Sequence, residues 1–237
     1  MTNIGIMKYK IKEHIKERDL VVNIEDTYPK RLFDMKKSKL YEENMFYTYL
    51  QTNKIPLIAY HCTRLTDFEI NEIQTNGLKF GGKDLLYKKI ENLPESCNDI
   101  KADLLRHVRC LSSTQADQSI CVSFGNLDLD DKIASYKTFI ENWGGESIYN
   151  FYDNPYSRHD QSHLRYIKNK LHDVSTPCII ILRCPSSVYD TLSRCSFYNS
   201  FMTKSIKRLF DSLNLKACVP EVIDVVKLTE YSGLDYS

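Results

Sequence analysis

The chain has 237 residues, of which 42% are hydrophobic and 27% are charged, and its formal net charge at pH 7 is +1. This length suits one large domain or two small ones, and this composition excludes a disordered protein. A net charge so close to zero also excludes a strong overall field that would draw the protein to nucleic acid or to an anionic membrane.

The sequence carries no signal for membrane insertion, secretion or metal binding. No apolar run approaches the roughly 20 residues of a membrane span. The residues from Met1 to Lys10 lack the features of a signal peptide. The eight cysteines form no Cys-x-x-Cys pair, which indicates reduced thiols rather than disulfides or structural zinc. We therefore predict a cytoplasmic protein with no metal site and no membrane partner.

The N-terminal part of the chain has the pattern of helices. Apolar residues between Arg31 and Gln51 recur near helical spacing, and Pro56 follows shortly after. We predict an N-terminal helical segment over residues 1–55 and a single α+β domain over residues 56–237.

Strands and helices are predicted in mixed order through the rest of the chain. Apolar runs predict strands, and helical spacing between caps predicts helices. The predicted elements are a strand at Leu57–Cys62, a helix from Thr66 or Asp67 to Gly77, helices at Asp84–Leu93 and Ile100–Cys110, a strand at Ser119–Phe124, a helix at Asp128–Asn142, a strand at Ser147–Tyr152, a helix at His163–His172, a strand at Thr176–Cys184, a helix at Ser200–Leu213 and a strand at Val222–Leu228. Strict strand–helix alternation is absent, so the predicted class is α+β.

The first strand ends in a group of polar residues. Alternation along a strand places His61 and Thr63 on one face and Tyr60 and Cys62 on the other. An imidazole and a hydroxyl on one face suit a sugar diol or an amide, and Arg64 at the strand end suits a phosphate. The competing interpretation is a core histidine bonded to a backbone carbonyl and an arginine in a structural ion pair.

A second candidate is Trp143-Gly144-Gly145-Glu146. Two glycines permit a sharp turn and close approach to a ligand, and they would deliver Glu146 at the start of an aromatic strand. The alternative is a helix end formed by the glycines, with Glu146 merely exposed to solvent. Ser123, which leaves the second strand, could place a hydroxyl beside the first.

These segments together resemble the ADP-ribosyltransferase fold, especially its diphtheria-toxin/poly(ADP-ribose)-polymerase branch. The matching segments are Tyr60–Thr63, Ile70–Leu78, Val122–Phe124 and Ile133–Tyr136. The resemblance implies a small mixed or antiparallel split sheet with flanking helices. Residues 57–184 also resemble a group of bacterial proteins with Tyr-His-x-Thr-Arg, Trp-Gly-Gly-Glu and Thr-Pro-Cys-Ile segments, a likeness that implies no function.

The first resemblance implies that NAD is bound as a substrate. By that resemblance His61 contacts the ribose of the nicotinamide half, Thr63 helps to seat the cofactor and Tyr136 stacks on nicotinamide. Glu146 is the expected catalytic carboxylate, which would stabilise the oxocarbenium-like ribose as nicotinamide leaves. Glu221, at the start of the last predicted strand, is the alternative. Arg64 and Ser123 complete the expected cofactor contacts, with His61 and Tyr136 supporting Glu146 in catalysis.

Three hypotheses about function follow. The first is an NAD-dependent ADP-ribosyltransferase or NAD glycohydrolase that acts on a macromolecule, whether protein or nucleic acid, as a bacterial toxin, effector or phage-defence enzyme. The second is a non-catalytic nucleotide-binding or protein-interaction module that keeps a degenerate pocket. The third is an interaction protein in which His61, Arg64 and Glu146 are structural.

Overall fold

The structure is a computed structural model that describes residues 48, 51–52, 54, 57–79, 82–112, 120–124, 139–152, 160–190, 209–213 and 219–228. The strands are β1 (Leu57–Leu65), β2 (Ile120–Phe124), β3 (Thr176–Cys184), β4 (Leu209–Leu213) and β5 (Glu221–Lys227). The α-helices with complete bounds are α1 (Asp67–Asn76), α2 (Lys83–Glu91), α3 (Asn98–Cys110), α4 (Glu146–Tyr152) and α5 (Gln161–Asp173). Short 3₁₀ turns lie at Glu95–Cys97 and Ser186–Asp190. This mixture confirms the predicted α+β class.

The strands form one sheet in the order β4-β2-β1-β3-β5. β2 is antiparallel to both of its neighbours, with Tyr60 opposite Ser123 and Ile120 opposite Leu213. The predicted antiparallel pairing is therefore confirmed for these three strands. β3 is buried along almost its whole length, which explains its unbroken apolar run, since a strand covered on both faces does not alternate with polar residues.

Helix α1 begins and ends at signals that the sequence carries. The Thr66 hydroxyl accepts a hydrogen bond from the Glu69 amide at 3.3 Å, and the Glu69 carboxylate accepts one from the Thr66 amide at 2.9 Å. This reciprocal pair is a capping box. At the other end Gly77 has a φ of 74° and donates its N–H to the Ile73 carbonyl at 3.0 Å. The predicted start at Thr66 or Asp67 and the predicted stop at Gly77 are both confirmed.

The main apolar core joins helices α2, α3, α4 and α5. Helix α3 contributes Ile100, Leu104 and Val108, four positions apart, and each of them is 0% exposed. Helix α5 contributes Leu164, Ile167 and Leu171, three and then four positions apart, which also places them on one face of a helix. Trp143 and Ile148 are also in this cluster. Burial of one face of each helix is what holds this part of the chain together.

Two predicted elements are wrong. Residues 147–152 form part of helix α4 rather than a strand, because Ile148 and Tyr152, four positions apart, are both buried in the helical core. Residues 209–213 form β4 rather than the end of a helix, because each of them pairs with a residue of β2. Local apolar spacing was ambiguous in both segments, and tertiary pairing decided between helix and strand.

Most of the predicted N-terminal helical segment lies outside the described residues, although Thr48, Gln51 and Thr52 are helical. The helix predicted at Asp128–Asn142 is described only from residue 139, and residues 139–141 are helical. The predicted domain boundary at residue 55 stays a prediction.

Contacts divide the chain into two units, each built from separate segments. One contains Met1–Tyr60, Ile120–Leu129 and Ile181–Glu221, and so holds β2 and β4. The other contains His61–Ser119, Asp130–Ile180 and Val222–Ser237, and so holds helices α1 to α5 and the apolar core described above.

None of the helices that the structure describes combines the length and the apolar character needed to cross a bilayer.

Candidate functional site

His61 and Thr63 lie on the more accessible face of β1. Both side chains are half-buried, whereas Tyr60, Cys62 and Arg64 are 6%, 4% and 5% exposed. The predicted alternation of faces along this strand is therefore present. Burial raises the pKa of the Tyr60 hydroxyl to about 12, so this phenol stays protonated near neutral pH.

Arg64, which was expected to contact the cofactor, is held by other parts of the protein. Its Nε donates a hydrogen bond to the Ser175 hydroxyl at 2.9 Å, and its Nη2 donates to the Ser175 carbonyl at 2.8 Å. Nη2 also donates to the His172 carbonyl at 2.9 Å, and Nη1 donates to the Ile140 carbonyl at 3.3 Å. These four contacts match the alternative interpretation of a structural arginine, although the acceptors are backbone carbonyls and a hydroxyl rather than a carboxylate.

The position of Arg64 follows from the end of helix α5. The last carbonyls of a helix carry partial negative charge and lack partners within the helix. Arg64 binds one of them, on His172, together with the carbonyl of Ser175 just beyond the helix. Burial lowers the pKa of the Arg64 guanidinium, and burial together with the charge on Arg64 lowers the pKa of the His172 imidazole. Arg64 therefore ties β1 to the C-terminus of α5.

Glu69 is a buried carboxylate that the sequence interpretation did not single out. It is 3% exposed, and its Oε2 accepts hydrogen bonds from the Thr66 amide at 2.9 Å, from the Thr66 hydroxyl at 3.1 Å and from Trp143 Nε1 at 2.6 Å. Lys89 Nζ lies 2.9 Å from the other oxygen, Oε1, as an ion pair. The Thr-x-x-Glu spacing of a capping box was the signal in the sequence that could have identified Glu69.

The Trp143-Gly144-Gly145 segment forms a tight buried turn. The Trp143 carbonyl accepts a hydrogen bond from the Tyr152 hydroxyl at 2.6 Å. Gly144 has a φ of 92°, and a Cβ added there would lie 2.6 Å from the Cβ of Ile148. The glycines are required because a side chain at Gly144 has no room and both backbones are left-handed. The turn leads into helix α4, so Glu146 begins a helix and not the strand that was expected.

The remaining predicted residues are placed as follows. Glu221 begins β5, where its carboxylate is exposed and lies 3.0 Å from Arg183 Nη1. Ser123 is opposite Tyr60 in the β1–β2 register, one residue before His61. Tyr136 and the side chain of Glu146 lie outside the described part of the chain, so the expected convergence of His61, Thr63, Tyr136 and Glu146 on one cavity stays a prediction.

The two conspicuous sequence motifs are nevertheless brought together. Arg64 of the first motif bonds the carbonyl of Ile140, three residues before the second motif. Glu69, five residues after Arg64, bonds the indole of Trp143. These links are buried and join β1 and α1 to the turn before α4. Ser175 and His172, which complete the Arg64 cluster, carried no signal in the sequence that distinguished them from other polar residues near a helix end.

Five cysteines in the described ranges are free thiols. Cys62, Cys97, Cys178 and Cys184 are buried and Cys110 is exposed. Burial raises the pKa of Cys178 to about 12, which makes this thiol a poor nucleophile at neutral pH. Within the ranges that the structure describes, no three His, Cys, Asp or Glu side chains are grouped closely enough to hold a metal ion.

Comparisons of the chain with protein-family models, with curated proteins and with solved structures find no match.

Proposed function

We propose that the chain is an NAD-using ADP-ribosyltransferase or NAD glycohydrolase with an ADP-ribosyltransferase-like fold, acting on a macromolecule as a toxin, effector or defence enzyme. The observation that supports this proposal is the placement of His61 and Thr63. They share the half-buried face of a strand whose other side chains around them are buried. A histidine and a threonine at the surface of a buried strand can donate and accept hydrogen bonds to a ribose.

The proposal assigns the cofactor contacts to His61 and Thr63 and not to Arg64. The guanidinium of Arg64 already makes four hydrogen bonds inside the protein, and freeing it to bind a phosphate would break all four of them. The phosphates of NAD would need other donors. The reaction itself needs a carboxylate aimed at the ribose, since cleavage of the N-glycosidic bond develops positive charge there.

Two glutamates remain candidates for that carboxylate. The resemblance on which the proposal draws places the glutamate on a late strand, and Glu221 is the one that begins a strand. Glu146, the first expectation, begins a helix directly after the buried glycine turn. Both glutamates therefore remain candidates, and the assay of nicotinamide release distinguishes them.

The first experiment is a calorimetric titration of the protein with NAD. We expect binding in the millimolar range or tighter, lost in His61→Ala because the ribose contact is removed. His163→Ala is the matched control, since His163 lies on the exposed side of α5 and its ring is paired with Asp103 at 2.9 Å. If His61→Ala and His163→Ala bind NAD equally well, His61 does not contact the cofactor and the binding site is not on β1. Absence of binding by the wild type would overturn the proposal.

The second experiment measures release of nicotinamide from NAD. We expect either Glu146→Gln or Glu221→Gln to reduce the rate by about 100-fold or more, the size expected when a group that stabilises transition-state charge is removed. The other variant should retain activity. If both variants keep full activity, neither glutamate is catalytic.

A non-catalytic binding module is the second candidate, and one observation favours it. The most distinctive residues of the two motifs, Arg64, Trp143 and Gly144, are used to build the fold. A chain of this class would bind NAD or another nucleotide at His61 and release no nicotinamide. If the protein binds NAD in the titration but releases no nicotinamide, the binding module is therefore favoured over the enzyme.

A further inference from the structure

Helix α5 turns a broad polar face to solvent. Leu164, Ile167 and Leu171 are buried along one side of this helix. The exposed residues on the other side include Gln161, Ser162, Arg165, Asn169 and His172. We call these five residues the α5 polar face. Since α5 has 13 residues, the helix that carries the face is about 20 Å long.

The α5 polar face carries local positive charge. Arg165 on the face and Lys168 at its edge lie about one turn apart, and Asp173, the last residue, is the only acid within the helix. Arg165 is exposed and forms no ion pair or hydrogen bond with any residue that the structure describes. Its guanidinium is therefore available to an anionic or hydrogen-bonding partner. Because the net charge of the whole chain is only +1, this positive charge is a property of the face and not of the protein at large.

Tyr166 borders the face, and its ring is already engaged by its neighbours. Its hydroxyl donates a hydrogen bond to Asp99, and Lys170 Nζ lies 5.4 Å from the ring centroid. The ring of His163 is stacked with it at a centroid distance of 6.5 Å. Proteins that hold single-stranded nucleic acid rely on open aromatic rings on which unpaired bases stack. The contacts of Tyr166 compete with such stacking, so the face suits a partner whose bases stay paired.

The side chains of the face are those that read DNA in its major groove. This groove of B-DNA, about 12 Å wide, admits an α-helix. Arginine bonds the edge of guanine there, and asparagine and glutamine bond the edge of adenine, while lysine pairs with phosphates. Arg165, Asn169 and Gln161 supply the first three groups, and Lys168 supplies the last. Duplex RNA has a deep and narrow major groove that excludes a helix, so DNA is the duplex that fits.

We propose that the α5 polar face binds double-stranded DNA, with α5 in the major groove, Arg165 toward the bases and Lys168 toward a phosphate. This binding does not depend on the enzymatic activity proposed above. Its test therefore needs neither NAD nor an acceptor, and its failure would leave that activity unaffected.

Fluorescence anisotropy of a labelled DNA duplex measures the binding directly. We expect a mixed-sequence duplex of about 20 base pairs to bind with a Kd of about 10 μM or tighter at about 50 mM salt, as phosphate contacts permit. The single strand of the same sequence and the matching RNA duplex should each bind about tenfold more weakly, because neither offers a groove that accepts α5.

Variants on the face locate the contact. Arg165→Ala should weaken duplex binding by about tenfold, and Lys168→Ala should lower the slope of log K against log salt by about one unit. Lys88→Ala is the matched control, since it removes one exposed positive charge from α2 and should bind DNA like the wild type. Arg165 makes no contact that its removal would break, and circular dichroism should show an unchanged fold in Arg165→Ala.

Four results would overturn the proposal. The first is absence of binding by the wild type at 100-fold the expected Kd. The second is equal affinity for the DNA duplex, its single strand and the RNA duplex, which would leave the major groove without a role. The third is equal binding by Arg165→Ala, Lys88→Ala and the wild type, which would place the DNA elsewhere. The fourth is competition by polyglutamate as effective as by unlabelled DNA, which would show that the face accepts any polyanion, an acidic protein included.

Discussion

Replacement of Gly144 by alanine should destabilise the fold far more than the same replacement at the next residue. Both glycines have left-handed backbones, with φ of 92° at Gly144 and 68° at Gly145. A Cβ at Gly144 would lie 2.6 Å and 2.8 Å from the Cβ and Cγ2 of Ile148, closer than real Cβ contacts. A Cβ at Gly145 would meet no atom within 4 Å.

The expected loss of unfolding free energy is the sum of two effects at Gly144, whereas only one of these effects applies at Gly145. Backbone strain from a left-handed alanine costs about 1–2 kcal/mol at either position. Forcing a methyl group against Ile148, a fully buried residue of the helical core, adds about 1–3 kcal/mol. We therefore expect Gly144→Ala to lower the free energy of unfolding by about 2–5 kcal/mol and Gly145→Ala by about 1–2 kcal/mol.

Urea unfolding measures this difference. Far-ultraviolet circular dichroism follows the helices, and the emission of Trp143, the only tryptophan, follows the turn itself. Coincident transitions from the two signals would justify a two-state treatment of each variant. Equal losses of stability in Gly144→Ala and Gly145→Ala would refute the packing argument, because strain alone would then account for both.

Two further predictions concern buried groups. Arg64→Lys should cost about 2–4 kcal/mol of stability, because a lysine cannot reproduce the forked contacts of the guanidinium. Arg165→Lys, on the exposed face of α5, should change stability by less than about 0.5 kcal/mol in the same urea experiment. In the folded protein, iodoacetamide should alkylate the exposed Cys110 well before the buried Cys178, whose pKa of about 12 suppresses the thiolate. Peptide mass spectrometry that finds equal labelling rates would contradict this.

The sequence predicted those elements whose signals are local. Strand β3 is a continuous apolar run, and α1 lies between a capping threonine and a glycine stop, so both were predicted at nearly the observed bounds. The helices α3 and α5 were found from apolar residues at helical spacing. In each case the residues themselves specify the conformation before any tertiary contact forms.

The two wrong predictions concern segments whose secondary structure is determined by contacts with residues distant in the sequence. The aromatic residues of α4 have high β propensity, but the core accepts Ile148 and Tyr152 from one face of a helix. β4 is fixed by pairing with β2, almost 90 positions earlier in the chain. Of the site residues, the alternation of His61 and Thr63 was predictable from strand geometry. The partners of Arg64 were not predictable, because they are distant in sequence, at Ile140, in α5 and just beyond it, and three of the four acceptors are backbone carbonyls.

The buried arginine also has a consequence for synthesis of the protein. Arg64 and Ser175 are 111 positions apart, and Glu69 and Trp143 are 74 positions apart. At about 5–20 residues per second, the ribosome needs roughly 6–22 seconds after making Arg64 to deliver Ser175. During that time β1 is complete, but the helix end that receives its arginine does not yet exist. The nascent chain must therefore keep an apolar strand from pairing wrongly while it waits, and long-range contacts of this kind slow folding. We therefore expect any action of chaperones on this chain to fall mainly between the synthesis of Arg64 and that of Ser175.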